Sequence, residues 1–164
     1  MTFEGFKSNV EQWAEARGIY EHSTPLAQAL KAVSEVGELA DAVIKDDKDA
    51  LKDAIGDVAV CLINSAKLLG VDVSLDSHDE FHKSSCSKER AAICAFFVSD
   101  IASSIVLGSA EWSIEDAIEY SFSQLIRTAE ASGLEFMDCC EAAWLEIMDR
   151  KGKMVAGGAF VKDE

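Results

Sequence analysis

The chain has 164 residues, enough for one domain whose core needs no disulfide or metal staple. Its 30 acidic residues against 15 basic ones give a formal charge of −15, which argues against a nucleic-acid backbone or an anionic membrane surface as partner. No run of 18 apolar residues occurs, and the start Met1-Thr2-Phe3-Glu4 lacks the basic and apolar stretches of a signal peptide, so a cytoplasmic protein is expected.

Phe3, Phe6, Val10 and Trp13 recur at spacings of three and four and predict an amphipathic first helix ending near Arg17-Gly18. Thr24-Pro25 reads as an N-cap followed by proline at the first helical position. The long helix that follows carries Leu26, Leu30, Val33, Val36, Leu39 and Val43 on its apolar side, to about Ile44. Asp47 or Asp49 opens a third helix, through Ile55, Val58 and Leu62 to a stop at Gly70. Residues 71 to 86 are polar and irregular. A fourth helix runs from Ser87 to Gly108, Ser113 with Asp116 resembles a capping box for a fifth to about Ala131, and Leu134 to Arg150 make a sixth. The tail, with Gly157-Gly158 at its turn, suits a short hairpin. The expectation is an all-α bundle of about six helices, built on two tandem helical hairpins with a β-hairpin-like tail. Cys61, Cys86, Cys94, Cys139 and Cys140 are odd in number and contain no CxxC, so buried, reduced thiols are expected.

Glu35 and Glu38 lie three apart on the second helix, and Asp53 and Asp57 lie four apart on the third, so each pair shares a helix face. If the two helices form an antiparallel hairpin turning between Lys45 and Lys48, Glu38 comes opposite Asp57, and four converging carboxylates need a cation. Hard oxygen ligands suit Mg²⁺ or Mn²⁺. A solvated acidic helix face is the alternative. Gly37 and Gly56 weigh against that alternative, since a helical glycine costs roughly 1 kcal/mol against alanine and a close approach of the two helices beside the carboxylates would offset it.

Cations are scarce, and Arg150, Lys151 and Lys153 form a cluster able to clamp phosphate or simply to cap a helix C-terminus. Lys31 stands one turn before Glu35, and the amides Gln28 and Asn64, on otherwise apolar helices, are able to read a nucleobase edge. His78 and His82, with Cys86 nearby, have a spacing that can bind zinc on a helix, but their segment reads as a solvated loop. No P-loop, GxGxxG, Gly-x-Ser-x-Gly or Glu-x-x-His motif is present.

Residues 33 to 72 align on 98 to 135: Val33-Ser34-Glu35 meets Val98-Ser99-Asp100, Asp53-Ala54-Ile55 meets Asp116-Ala117-Ile118, and Leu62-Ile63, Ala66 and Gly70 meet Leu125-Ile126, Ala129 and Gly133. Ser103 and Tyr120 take the places of Glu38 and Asp57, so an internal repeat would have one acidic copy and one degenerate copy. The degenerate hairpin is expected to pack as a pseudo-twofold mate around the same site.

The ordered set Trp13 to Ile19, Thr24-Pro25, Gln28-x-x-Lys31, Glu35-Val36-Gly37-Glu38, Asp53-Ala54-Ile55-Gly56-Asp57 and Trp144 with Asp149 to Val155 resembles the MazG-like nucleoside triphosphate pyrophosphohydrolases, particularly short phage-type members, over about residues 10 to 75 and 137 to 162. The resemblance implies an all-α enzyme that hydrolyses a nucleoside triphosphate, foremost a dNTP, to the monophosphate and pyrophosphate with Mg²⁺ (or Mn²⁺). By the same resemblance Glu35, Glu38 and Asp57 are metal ligands, and Glu35 or Asp53 orients water as the base. Lys31, Arg150, Lys151 and Lys153 meet phosphates, and Gln28 or Asn64 meets the nucleobase. Ala54 stands at the glutamate of the family's ExxD, Leu145 stands where similar proteins often carry asparagine, and residues 77 to 135 look like an insertion. One domain over 1–164 is expected, with an active half of about 1–75, a degenerate half of about 87–135 and a C-terminal helix with basic tail over 136–164. The expected assembly is a homodimer without nucleic-acid or membrane partners. An inactive helical nucleotide-binding module, or an acidic protein-interaction module, is the alternative function.

Overall fold

The structure, a computed structural model, describes residues 1–75, 86–108, 112–155 and 159–161. Among these lie α1 (Phe3–Ala16), α2 (Ile19–His22), α3 (Pro25–Lys45), α4 (Lys48–Leu69), α5 (Ser87–Leu107), α6 (Ile114–Ala131), α7 (Phe136–Ile147), β1 (Lys153–Val155) and β2 (Ala159–Val161). The all-α reading holds, with one helix more than expected. Gly18, at φ 69°, turns the chain sharply after α1 and lets the four-residue α2 form before the next cap. His78, His82 and the Gly157-Gly158 turn lie outside the described residues.

Local chemistry explains the helix boundaries. The Thr24 hydroxyl accepts from the Ala27 amide (3.1 Å) with Pro25 in the first turn, and the Asp47 carboxylate accepts from the Ala50 amide (3.1 Å). The Ser113 hydroxyl accepts from the Asp116 amide, but Asp116 returns no bond to the backbone: its carboxylate accepts the Ser113 O–H instead (2.7 Å). The last helix is shorter than expected because Leu134 is used to finish α6, its amide donating to the Ala129 carbonyl across Gly133.

Helix α4 is the axis of the molecule. Ile55, Val58, Leu62 and Ile63 are buried, with α3 and α7 packed on it and α1 and α6 adding smaller contacts. The two glycines act differently from expectation. A β-carbon on Gly56 would sit 2.5 Å from Ala143 Cβ and 2.6 Å from the Cys139 carbonyl oxygen, so the close approach is to α7; a β-carbon on Gly37 would meet nothing within 4 Å. Leu30, expected in the core, is exposed together with Ile44 on the outer side of α3.

The hairpin α5–α6 stacks on the first hairpin mainly through α5 against α3. Helix α5 is long and apolar enough to cross a membrane by length and composition alone; in this fold it packs between neighbours, and its buried Arg90 donates to Gln124 of α6 (3.3 Å). Cys61, Cys94, Cys139 and Cys140 are buried and Cys86 is exposed, and none of the five forms a disulfide. The tail pairs β1 with β2 antiparallel, Met154 opposite Phe160. It is tied to the end of α1 by two bonds: the Met154 amide donates to the Arg17 carbonyl (2.8 Å), and Arg17 Nε donates to the Arg150 carbonyl (3.0 Å).

Candidate active site

The helical period places Gln28, Lys31, Glu35 and Glu38 along one face of α3, and Asp57, Cys61 and Asn64 along one face of α4. These faces form the two long walls of a cavity of about 560 Å³. Trp13, Ile19 and Ser23 from the α1–α2 corner close one side, and Ile147, Arg150 and Met154 close another. A volume of this order accommodates a nucleotide-sized ligand.

One end of the cavity is acidic. The α3–α4 connection consists of only Asp46 and Asp47, where the turn was expected, but the carboxylates do not face each other as expected. Glu35 rather than Glu38 is the carboxylate that acts most on Asp57, while Glu38 acts on Asp53. Glu35 is buried and ion-paired with Lys31, whereas Glu38 is exposed at the rim. Burial, reinforced by Glu35, Asp53 and Glu146 and opposed by Arg150, pushes the Asp57 carboxyl up to about 7. Asp53 is likewise raised, first by burial and then by the charge and hydrogen bond of Glu146, but its side chain is exposed and off the cavity wall.

Sequence reasoning missed Glu146. It lies on α7, reaches Asp53 and Asp57 electrostatically, and accepts from Arg150 Nη2 at 2.5 Å. An i,i+4 Glu-Arg pair on a terminal helix reads as an ordinary surface ion pair, so only the packing of α7 on α4 reveals its partners. Lys151 and Lys153 are exposed and do not line the cavity, because the chain leaves α7 and enters β1 through Gly152 at φ 131°.

The other end is built from amides and aromatics. Asn64 is buried, its Oδ1 accepting from the Tyr20 hydroxyl (2.9 Å), and buried Gln28 donates from Nε2 to Ser23 Oγ (2.9 Å). The indole N–H of Trp13, a residue lining the cavity, is buried with no hydrogen-bond partner among the described residues. Tyr20, Ser23 and Trp13 were also missed as site residues, since Trp13 reads as a core position of α1 and the other two sit in a short connection.

The expected repeat partner does not share this site. No residue of α5 or α6 lines the cavity; the walls opposite the first hairpin come from α7, the tail and the α1–α2 corner. Helix α5 covers a flank of α3, which leaves the groove between α3 and α4 to be closed by other segments.

Among the described residues, no three His, Cys, Asp or Glu side chains converge closely enough to hold a metal ion as they stand, and Lys31 holds Glu35. The donor chemistry nevertheless fits a hard divalent cation. Glu35, Glu38 and Asp57 offer oxygen only, and Asp57, raised first by burial and then by the charges of Glu35, Asp53 and Glu146, is a carboxyl that a bound cation would favour ionised.

An all-α hairpin with carboxylates at one end of a groove and buried amides at the other is the class of site defined here. Residues 23–88, less than half of the chain, match the family model of the MazG nucleotide pyrophosphohydrolase domain, so that segment is similar to it. The chain is also similar to an uncharacterized 18.2 kDa protein from the rep-hol intergenic region of Haemophilus phage HP1, with 44% identity over 68 residues. That alignment covers 42% of this chain and 42% of the phage protein, so it spans less than half of either. No solved structure matches the chain.

Proposed function

We propose that the protein hydrolyses a nucleoside triphosphate, foremost a deoxynucleoside triphosphate, to the monophosphate and pyrophosphate with Mg²⁺ or Mn²⁺. The observation that carries this reading is the facing of buried Glu35 and half-buried Asp57 across a MazG-like hairpin, in a cavity whose far end holds two buried amides. Glu35, Glu38 and Asp57 would hold the metal, which when bound neutralises charge developing on the phosphoryl oxygens. Water attacks a phosphorus of the triphosphate, the P–O bond to the leaving pyrophosphate breaks, and the water proton passes to a carboxylate, Glu35 or Asp53. Lys31 and Arg150, which line the cavity and are each paired with an acidic residue one turn away, are the cations that meet the phosphates. Lys151 and Lys153 contribute charge from outside the wall. The assembly is proposed to be a homodimer, which sedimentation of the purified protein would test.

The test is pyrophosphate release from each common NTP and dNTP with and without Mg²⁺. Metal-dependent release with monophosphate as co-product supports the reading. Nucleotide binding without release would instead identify an inactive binding module, the reading favoured if Ala54 at the ExxD glutamate position abolishes turnover.

A further inference from the structure

We propose that the amide end of the cavity is a pyrimidine-selective base site, its polarity set by Tyr20 and Ser23. This rests on the nucleotide reading above and deepens it. An amide side chain carries one acceptor oxygen and one donor nitrogen, and which of them faces a ligand is decided by what the other is bound to. Tyr20 is well placed to decide this for Asn64. Its burial and the nearby carboxylates Glu11 and Glu15 raise its pKa, so the phenol stays protonated and donates to Asn64 Oδ1. The Asn64 nitrogen is then the group left for the cavity. For Gln28 the nitrogen is spent on Ser23, which leaves the oxygen. Trp13 adds a third group from the α1–α2 side of the same cavity, a buried N–H without a partner among the described residues. Buried polar groups are seldom left unpaired, and an acceptor on a ligand in the cavity would satisfy this donor.

The site therefore offers two donors, from Asn64 and Trp13, and one acceptor, from Gln28. The complementary base edge carries two acceptors and one donor. Uracil and thymine present O2 and O4 with N3–H, and cytosine presents O2 and N3 with its amino group. On its Watson–Crick edge guanine presents one acceptor and two donors, and adenine one acceptor with its amino group, so a purine entering by that edge, the one a pyrimidine would use, leaves a protein group unpaired. Gln28 stands two helical turns before Glu35, and Asn64 two turns beyond Asp57, which puts the base site about 10 Å along the groove from the carboxylates. That separation leaves room for the sugar and the first phosphate between the two ends.

Binding of the neutral deoxynucleosides to the full chain without metal isolates this end from hydrolysis. Saturation-transfer NMR is expected to show thymidine, deoxyuridine or deoxycytidine bound about tenfold or more tighter than deoxyguanosine and deoxyadenosine. Equal binding of purines, a guanine preference, or no binding of any nucleoside overturns the assignment. Tyr20→Phe frees the Asn64 amide to rotate and should reduce the pyrimidine-to-guanine affinity ratio with little change in melting temperature. Asn64→Asp, close in shape, replaces the cavity-facing donor with an acceptor and should lose the pyrimidine preference even if Tyr20→Phe does not fold; an unchanged ratio in Asn64→Asp overturns the proposal. Selective nucleoside binding without pyrophosphate release would keep the base site and refute hydrolysis. Metal-dependent release from all triphosphates alike, with deoxyguanosine bound as well as thymidine, would do the reverse.

Discussion

A carboxylate that keeps its proton to about pH 7 makes the metal-free protein pH-sensitive in a definite direction. Unfolded, Asp57 ionises near pH 4; folded, it resists ionisation until about 7, so native stability falls as pH rises through that window and levels off above it. Melting temperature in chelator is expected to drop between about pH 4 and 7, and Asp57→Asn should flatten the drop because it removes the charge that has to be buried. The same substitution, like Glu38→Gln, is expected to lower Mg²⁺-dependent turnover by at least a hundredfold, near the upper range of a lost ligand-level interaction. Near-wild-type rates in both purified variants would exclude these residues as ligands. Added Mg²⁺ should raise the wild-type melting point by mass action, and less so in either variant. Gln28, Lys31, Glu35, Glu38, Asp57 and Asn64 were legible because helical spacing alone aligns them on two facing helices. Glu146, Tyr20 and Trp13 were not, since each acquires its neighbours only through packing between segments far apart in sequence.

Glycine placement decides how the helices meet. Gly56→Ala forces a methyl into the Ala143 side chain and the Cys139 carbonyl, and overpacking of this kind costs about 1–3 kcal/mol. Because α7 carries Glu146 and leads directly into Arg150, the shift should also lower activity, a coupling that denaturant melts and rate assays on the same variant would reveal. Gly37→Ala is expected to do the opposite, stabilising α3 by roughly 0.5–1 kcal/mol, since the added methyl meets open space. A loss of stability there would mean that a partner covers Gly37 in solution. At this scale the sequence was most readable: the caps at Thr24, Asp47 and Ser113 and the stops at Gly70 and Gly108 fall where side-chain and backbone chemistry require. The role of Gly56 was read on the wrong neighbour, because a glycine announces close approach without saying which element approaches.

Across the molecule the two hairpins repeat detail beyond the alignment that suggested them. Ile55 and Ile118, Leu62 and Leu125, and Ala66 and Ala129 are buried in pairs, and Gly70 and Gly133 share φ 72°. Ser65 and Thr128, also equivalent, each donate to the carbonyl one turn back, at Cys61 and Gln124. We infer that the hairpins descend from one unit, which superposition of α3–α4 on α5–α6 would test. In the second copy Tyr120 stands at the Asp57 position and packs with Phe97 and Trp112 at centroid distances of 4.9 and 5.3 Å. Tyr120→Ala should therefore cost roughly 1–3 kcal/mol from two aromatic pairs and leave Mg²⁺ affinity unchanged by calorimetry. A loss of metal binding with full stability would contradict that division of labour.

The hook between Arg17 and the Arg150 to Met154 segment joins residues 133 positions apart in sequence. Contacts of such long reach close large loops, so they tend to form late and to yield early. During synthesis the acidic hairpin leaves the ribosome well before Arg150 does, and Asp57 must wait for this cation, just past α7, to oppose the neighbouring carboxylates. In the finished protein the same seam is where the site should open. The Met154 amide, which donates to the Arg17 carbonyl, is expected to exchange its hydrogen for deuterium faster than the amides of α4, and Arg17→Ala, which removes the bond to Arg150, should accelerate it further.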